Sequence, residues 1–348
     1  MTTERKIHFW VAIQIKKIAP FILLMLTTWL YTYAYGLSGV ESAISVGTGD
    51  NEHIVAVGKK GLVLITESNK NWHQATRATT SDLHGAASMQ TADVNSLATV
   101  AVGTHGTFLY SENLTEWEHV AKGVTNTHMR AVTWTGKYLV AVGQNSAIFR
   151  SSDGKKWEKI ALDETFNNAY FYDVAWNGKV LTVIGNYKNA MLQSYDEGAS
   201  WRAVSGAKEG EFYSFTKVYP HGDAFAVLHT HGALIAELGT PTANAPDHAA
   251  NNFSDPISPP VTKLLWGADN HRNCHLFTLA ENITEQSVPE LQNFEVKATF
   301  PAFGKLTALG NAKGKTPSIA TQEADESWHL EKIHVSSTHK QQKQKKRR

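Results

Sequence analysis

Two kinds of residue cluster in this 348-residue chain could carry chemistry. One is a short polar turn that ends in a tryptophan, found as Ser152-Asp153-Gly154-Lys155-Lys156-Trp157 and again from Ser194 to Trp201. The other is a close pair of histidines. A polar turn can be a functional site, or it can lock a hairpin, since Asp accepts backbone hydrogen bonds and Gly adopts positive φ. Recurrence along the chain separates the two interpretations.

The turns belong to an internal repeat. A Val/Ile-Gly pair followed by a tryptophan occurs four times in steps of 40 to 45 residues, with the members Gly58, Gly103, Gly143, Gly185, Trp72, Trp117, Trp157 and Trp201. A further copy holds Gly310 and Trp328, about three periods downstream, so two decayed copies are expected between them.

Each unit contains four short apolar runs separated by Gly, Asn and Asp turns, which is a strand and hairpin pattern. Seven such units of about 42 residues are typical of a β-propeller. A β-sandwich is the alternative all-β fold, but seven like units disfavour it. The sequence therefore predicts an all-β chain, a seven-bladed β-propeller of four-stranded antiparallel blades, preceded by an N-terminal hydrophobic helix.

The two chain ends differ from this body. Residues 18–37 carry no charge and follow four basic residues, so 1–36 is predicted to be a signal peptide or an N-terminal membrane anchor. The propeller is predicted at 37–336, and a basic, disordered tail at 337–348. Because the positive charges precede the apolar run, we expect an exported protein, periplasmic or extracytoplasmic, tethered if the helix is not cleaved.

Charge and cysteine content limit the function classes. The formal net charge is +1, but without the basic ends the body is near −8, so the chain has no basic body for nucleic acid. The tail could contact anionic lipid headgroups. Cys274 is the single cysteine, which excludes an intrachain disulfide.

The turns resemble the Asp box, Ser/Thr-x-Asp-x-Gly-x-x-Trp/Phe, of the bacterial neuraminidase repeat. The second copy fits through Ser194, Asp196, Gly198 and Trp201, and the first, assigned to Ser152, Asp153, Gly154 and Trp157, is one residue short. The resemblance implies a structural element between the third and fourth strands of a blade, on the face opposite the ligand site. The whole repeat also resembles the photosystem II stability and assembly factor propellers, which implies binding of a protein partner without catalysis.

The Asp box also suggests a sialidase, which requires three arginines that bind a carboxylate. The body contains Arg77, Arg130, Arg150, Arg202 and Arg272, and two of these adjoin the Asp boxes. We therefore predict no enzyme activity. A carbohydrate-active propeller, either a sialidase-like glycoside hydrolase or a glycan-binding module, is the alternative.

The working face is expected on the side of the second-to-third turns, opposite the Asp boxes. Aromatic and basic residues there suit a protein interface, although several of the aromatics could simply begin a strand. The predicted partner-binding residues are Lys59, Lys60, His105, His128, Arg130, Tyr170, Tyr172, Tyr187, Lys188, Phe212, Tyr213 and His231.

The histidine pairs His229/His231 and His271/His275 could contribute to a metal site, which needs three or four convergent ligands. Sixteen histidines in one chain make such pairs common by chance, so we predict neither metal nor cofactor. The prediction is a monomeric propeller that binds a protein partner in the membrane or envelope and assists assembly or stability of a complex there.

Overall fold

The structure is a computed structural model that describes residues 39–67, 71–89, 97–186, 190–205, 215–229, 232–236, 263–267, 274–279, 284–312 and 316–335. The chain divides into Met1–Ser38 and Gly39–Arg348. The predicted N-terminal helix and basic tail lie outside the described residues. The described part contains β-strands and five short 3-10 helices, with no α-helix: Gly49–Asn51, Lys59–Gly61, Thr104–Gly106, Glu164–Phe166 and Pro289–Leu291.

The strands form antiparallel sheets, which we number 1 to 7 in chain order. Sheets 1 and 2 comprise β1 (Val40–Val46), β2 (His53–Gly58), β3 (Leu62–Thr66), β4 (Trp72–Gln74), β5 (Leu83–Ser88), β6 (Thr99–Gly103), β7 (Thr107–Ser111) and β8 (Glu118–Val120). Sheets 3 and 4 comprise β9 (Met129–Trp134), β10 (Leu139–Gly143), β11 (Ile148–Ser151), β12 (Glu158–Lys159), β13 (Phe171–Trp176), β14 (Leu181–Gly185), β15 (Ala190–Ser194) and β16 (Arg202–Ser205).

Sheets 5 and 6 have three described strands each, and sheet 7 has four. They comprise β17 (Phe215–His221), β18 (Ala224–His229), β19 (Gly232–Ala236), β20 (Lys263–Gly267), β21 (Cys274–Thr278), β22 (Thr284–Val288), β23 (Phe294–Ala302), β24 (Lys305–Ala312), β25 (Thr316–Gln322) and β26 (Trp328–Lys332). Consecutive strands are neighbours in every sheet, so each sheet is a simple meander.

The sheets pack face to face around a ring, with β1, β5, β9, β13, β17 and β23 innermost. Neighbouring strands of this set contact one another from β1 to β17, and β23 contacts β1. Ala226 and Leu228 of sheet 5 pack against Leu264 and Phe277 of sheet 6. Second strands such as β10 are buried along their whole length, since both of their faces pack on neighbouring sheets. The predicted β-propeller is therefore confirmed.

In sheet 6 the three described strands correspond to the second, third and fourth strands of the other sheets. Lys263 at the start of β20 lies 3.3 Å from Glu326 in the third-to-fourth turn of sheet 7, and Cys274 at the start of β21 contacts Phe294 at the start of β23. The Pro289–Leu291 helix then leads from β22 into β23, as the fourth strand of one sheet leads into the first strand of the next. Four-stranded antiparallel blades are confirmed in sheets 1 to 4 and 7.

The ring closes between sheets 7 and 1 without an exchanged inner strand. The buried amide of Asn311 donates from Nδ2 to the carbonyl of Val40 at 3.0 Å and accepts from the Val40 N–H at 3.2 Å. The Phe303 N–H donates to Glu52 Oε2 at 2.8 Å, and Val335 forms a parallel bridge with Trp72. All four strands of sheet 1 come from one continuous stretch of the chain, and so do those of sheet 7. Among the described residues, the hydrogen bonds that join the two sheets are therefore these side-chain bonds and this one backbone bridge.

Candidate functional site

The turn after β11 is held by its own side chains. The Ser151 hydroxyl donates to Asp153 Oδ1 at 3.1 Å and accepts from the Gly154 N–H at 2.9 Å. Asp153 Oδ1 also accepts from the N–H groups of Lys155 (2.8 Å) and Lys156 (2.7 Å). The hydroxyl in this turn thus belongs to Ser151, and the assignment of Ser152 was wrong because the motif was aligned one residue late.

The Asp153 carboxylate is stabilised in its charged form by this turn. Partial burial opposes the charge, but the N–H donors of Lys156 and Lys155 outweigh it and hold the pKa of Asp153 below its usual value. Its bonds are therefore to its own hairpin, as in a structural element.

The turn of sheet 4 repeats this arrangement. Ser194 donates to Asp196 Oδ1 at 2.7 Å and accepts from the Gly198 N–H at 2.8 Å. The indole of Trp201 donates to the Gly198 carbonyl at 3.1 Å, as that of Trp157 does to the equivalent glycine of sheet 3 at 3.0 Å. Both turns therefore share one hydrogen-bond frame.

The turn between β7 and β8 forms the same kind of hydrogen bonds, although its sequence lacks the Asp-x-Gly core of the Asp box. Asn113 Oδ1 accepts from the N–H groups of Thr115 (3.1 Å) and Glu116 (2.9 Å). Leu114 takes the glycine position at φ 64°, and Trp117 donates to its carbonyl at 2.6 Å. Asn is the residue that could have signalled this turn, since it accepts hydrogen bonds as Asp does.

These turns lie at the opposite end of the sheets from the predicted partner-binding residues. Ser151 pairs with Leu139, which pairs with Trp134 at the end of β9, while Gly143 pairs with Met129 at its start. The start and end of β9 are thus separated by on the order of 15 Å along the strand. We call the end where the first strands begin the channel mouth.

At the channel mouth, the turn between the second and third strands of one sheet forms hydrogen bonds with residues at or just before the first strand of the next sheet. The Lys60 N–H donates to Asp82 Oδ1 at 2.8 Å, and the Gly106 N–H donates to the Thr127 carbonyl at 2.9 Å. Gln144 Nε2 donates to the Tyr170 hydroxyl at 2.7 Å. Successive sheets are therefore locked together at this end, which fixes the positions of the side chains there.

Seven of the predicted residues lie at this end: Lys59, Lys60, His105, His128, Arg130, Tyr170 and Tyr172. The rings of His105 and His128 lie 5.0 Å apart, and so do those of Tyr170 and Tyr172. Lys59 is exposed at the same end and lies 3.9 Å from Glu41. The predicted residues Tyr187, Lys188, Phe212, Tyr213 and His231 lie outside the described residues.

Below the mouth, the inner strands enclose a polar cavity of ≈ 140 Å³. Its charged and phenolic lining consists of His84, Asp173, Lys217, Tyr219 and Lys297. Lys217 Nζ lies 3.8 Å from Asp173 Oδ2, which accepts the Val218 N–H at 3.1 Å.

The charge of Lys297 in this cavity is balanced by two acidic residues. Its Nζ lies 3.5 Å from Glu41 and 2.6 Å from Glu295. None of the five polar residues of the cavity was found by sequence reasoning, since each lies alone in a strand and only ring closure assembles them.

Burial shifts the protonation of three groups around this cavity. It lowers the pKa of His84 to about 4, and the charge of Arg130, whose Nη1 lies 3.5 Å from Nε2, contributes to the lowering. Burial raises the pKa of Asp173, although Lys217 and the Val218 N–H favour its charged form. Burial also raises the pKa of the Tyr219 phenol well above its ordinary value. His84 is thus a neutral acceptor for Arg130 at pH 7.

This depressed histidine pKa predicts an acid-sensitive stability. Between pH 6.5 and about 4, unfolded His84 binds a proton that the folded site excludes, so stability falls as the pH falls through this window. We expect wild type to lose about 2 kcal/mol more than His84→Gln, allowing for solvent screening. Urea unfolding at pH 7.5 and 4 measures the difference, and equal losses in the two proteins would contradict it.

The arginine clamp of a sialidase is not formed by the described residues. Arg150 and Arg202 stack on Tyr138 and Tyr195 beside the Asp-box turns, at 4.3 Å and 4.2 Å. Arg77 is exposed in the connection between sheets 1 and 2. Arg130 alone of these four contacts a residue of the cavity, and the fifth body arginine lies outside the described residues.

The histidine pairs considered as metal ligands, and Cys274, either have partners in the structure or lie outside the described residues. His275 Nδ1 lies 2.7 Å from Glu285 Oε1, and buried Cys274 donates to the carbonyls of Leu291 (3.2 Å) and Phe294 (3.1 Å). His231 and 271 are not described, nor is the His229 side chain. In the described ranges, no group of three His, Cys, Asp or Glu residues could hold a metal ion.

The part of the chain that the structure describes also contains no helix that could cross a membrane. The apolar run at 18–37, on which the anchor prediction rests, lies outside it.

Comparison with known proteins identifies the fold. No family model and no curated protein matches the sequence. PorZ, a surface component of the type-IX secretion system of Porphyromonas gingivalis, superposes with a TM-score of 0.53 at 12% identity, over 86% of this chain and 39% of that one.

Two YCF48 structures are also similar to this chain. The one from Cyanidioschyzon merolae superposes with a TM-score of 0.44 at 12% identity, over 84% of this chain and 85% of that one. YCF48 bound to a D1 peptide gives a TM-score of 0.48 at 11% identity, over 85% and 96%. What the PorZ structure shares with this chain is the β-propeller fold.

Proposed function

We propose that this chain is an exported, seven-bladed propeller that binds a protein partner at the channel mouth. In this proposal it binds rather than catalyses, and it assists assembly or stability of a membrane or envelope complex. Residues 1–36 direct export or tether the protein, and the basic tail contacts anionic lipid.

The observation that carries the proposal is the composition of the channel mouth. Arg130, two histidines and two tyrosines lie there with partly exposed side chains, and arginine and tyrosine are enriched at the energetic centres of protein interfaces. Within the described residues, Arg130 contacts neutral His84 and no carboxylate. Its charge is thus available to an acceptor on a partner.

The rigidity of the mouth supports the same interpretation. The Gln144 amide holds the Tyr170 hydroxyl at 2.7 Å, and Tyr170 in turn packs beside Tyr172. Aromatic groups that are fixed before binding lose little conformational entropy when a partner docks.

Site-specific photo-crosslinking tests this proposal in the source cells. A photoreactive residue at position 105 should give one discrete crosslinked species with a partner, because His105 is exposed at the mouth. The same residue at position 155, exposed at the Asp-box end, serves as the control. Equal crosslinking from the two positions would contradict a mouth-specific site.

A matched pair of variants gives the energetic test. His105→Ala with Tyr172→Ala should weaken binding to that partner by roughly tenfold or more, as loss of a central aromatic does at interfaces. Lys155→Ala with Glu158→Ala, at the opposite end, should leave affinity unchanged. Unchanged affinity of the mouth variant, at a melting temperature close to wild type, would exclude the site.

A further inference from the structure

The polar cavity below the channel mouth has the size of a site for a small molecule. Its volume of ≈ 140 Å³ is close to the roughly 150 Å³ of an engineered cavity that binds benzene, so it can hold a molecule of about six non-hydrogen atoms. Glycine and alanine leave this space between the inner strands, at Gly85, Ala86, Ala131 and Ala298. The Lys217 side chain in its lining is 33% exposed, so solvent reaches the cavity. None of the described mouth residues lines it, so the proposed partner site does not account for it.

Three groups of the lining can donate hydrogen bonds to a ligand. The Lys217 ammonium lies 3.8 Å from Asp173 Oδ2, beyond hydrogen-bond distance, and donates to no other described residue. In the part of the chain that the structure describes, the Ser42 hydroxyl has no hydrogen-bond partner. The Tyr219 phenol keeps its proton at neutral pH, because burial raises its pKa well above the ordinary value. An ammonium and two hydroxyl groups thus face one cavity.

The charges of the lining favour a ligand with a negative charge. Because His84 is neutral, the charged lining consists of Lys217, Lys297 and Asp173. The two acidic partners of Lys297 do not line the cavity. The lining therefore carries an excess of positive charge, and a small anion inside the cavity would balance it.

Asp173 adds a hydrogen-bond acceptor beside the Lys217 ammonium. Its side chain is 12% exposed, and its Oδ2 accepts from the Val218 N–H at 3.1 Å. A carboxyl group keeps acceptor capacity beyond one such bond, so Asp173 can also accept from a ligand hydroxyl. Since Lys217 Nζ and Asp173 Oδ2 lie only 3.8 Å apart, the two ligand groups that meet them must lie on neighbouring carbon atoms.

We propose that this cavity binds a short α-hydroxycarboxylate, a monoanion of the size of lactate. The ligand carboxylate accepts from Lys217 Nζ and from the hydroxyl groups of Ser42 and Tyr219, and the ligand hydroxyl donates to Asp173. An α-hydroxy acid fits because it carries its hydroxyl on the carbon next to the carboxylate. A dianion fits less well, since the Asp173 carboxyl group opposes a second negative charge. The site needs no partner protein and is independent of the channel mouth.

Isothermal titration calorimetry of the full-length protein with lactate and three analogues tests the inference. Lactate should bind saturably. Propanoate, which lacks the hydroxyl, should bind at least about tenfold more weakly, because a hydrogen bond to a charged group is lost. The β-hydroxy isomer of lactate should also bind more weakly, and uncharged lactamide should not bind. Equal binding of the three acids would mean charge attraction alone, and either that result or no saturable binding of lactate would overturn the proposal.

Variants of two lining residues then locate the ligand. Ser42→Ala should weaken lactate binding by roughly threefold to tenfold, the effect of one hydrogen bond, at a melting temperature close to wild type. Lys217→Met should weaken it by at least about tenfold, and Ser42→Ala decides the question if Lys217→Met does not fold. Lys179→Met is the control, since Lys179 is 65% exposed beside Asp223 at the Asp-box end and should not affect binding. Equal affinity of Ser42→Ala and Lys179→Met would place lactate outside the cavity and contradict the proposal.

Discussion

Trp157→Ala should lower the free energy of unfolding by about 3–5 kcal/mol, the range for loss of a buried tryptophan. The side chain is 7% exposed and its ring centroid lies 4.6 Å from that of Phe108, so it joins sheet 3 to sheet 2. The indole also donates to the Gly154 carbonyl at 3.0 Å. Alanine removes both contacts and leaves a cavity between the sheets. Urea unfolding followed by circular dichroism measures the loss.

Lys156→Ala is the matched control for this change. Lys156 lies in the same turn, its side chain is exposed, and its N–H bond to Asp153 survives the substitution. We expect less than about 0.5 kcal/mol from it, as for surface changes in general. A loss below about 1 kcal/mol for Trp157→Ala would show that the repeated tryptophan does not hold the sheets together.

Gly143→Ala should destabilise the protein by about 3 kcal/mol, at the upper end of the cost of overpacking. A Cβ atom at Gly143 would lie 2.3 Å from the carbonyl oxygen of His128 and 2.9 Å from the Met129 Cα. Those are backbone atoms at the entry of the same sheet, so no side chain can rotate away. Thermal and urea unfolding of the variant measure the cost.

Gly178→Ala separates this steric effect from the loss of glycine flexibility. Gly178 has φ 94°, and a Cβ there would meet nothing within 4 Å. The control therefore carries only the cost of an L-residue at positive φ, about 1 kcal/mol. Equal losses from the two variants would show that contact with the entry backbone is not what the repeat requires.

This close approach explains why the Val/Ile-Gly pair made the fold predictable. At Gly58, Gly103, Gly185 and Gly310 a Cβ would likewise lie 2.0 to 2.3 Å from a carbonyl oxygen at the entry of the same sheet. Because each of these sheets needs a glycine for a contact within the sheet itself, glycine recurs at regular spacing along the sequence. The position of the polar turns between third and fourth strands was predictable for the same reason.

Features that depend on departures from the repeat were not predictable in this way. The copy that forms sheet 6 lacks the repeated tryptophan, so the bounds of its strands had no marker in the sequence. Leu114 at positive φ preserves a turn whose glycine is absent, because its side chain is buried against sheet 1. Tertiary packing outweighs local preference there.

Of the candidate site, only the residues of the channel mouth could be predicted from the sequence. His105 and Arg130 could be placed at the mouth because strand order alone decides which end of a sheet they occupy. Asp173 and His84 could not, since residues on the first strands of sheets 4 and 2 meet only when the ring closes. Their shifted protonation is likewise a property of the closed ring.

The way the ring closes has a consequence for how the protein can be rearranged. Sheets 1 and 7 are each complete before they meet, and the Asn311 amide, the Glu52 carboxylate and the Val335 bridge join them. Closure is thus the docking of two finished surfaces, comparable to the association of two subunits. A circular permutant with its old ends linked and new ends in another connection between sheets should form the same ring, since no strand would lose its partner.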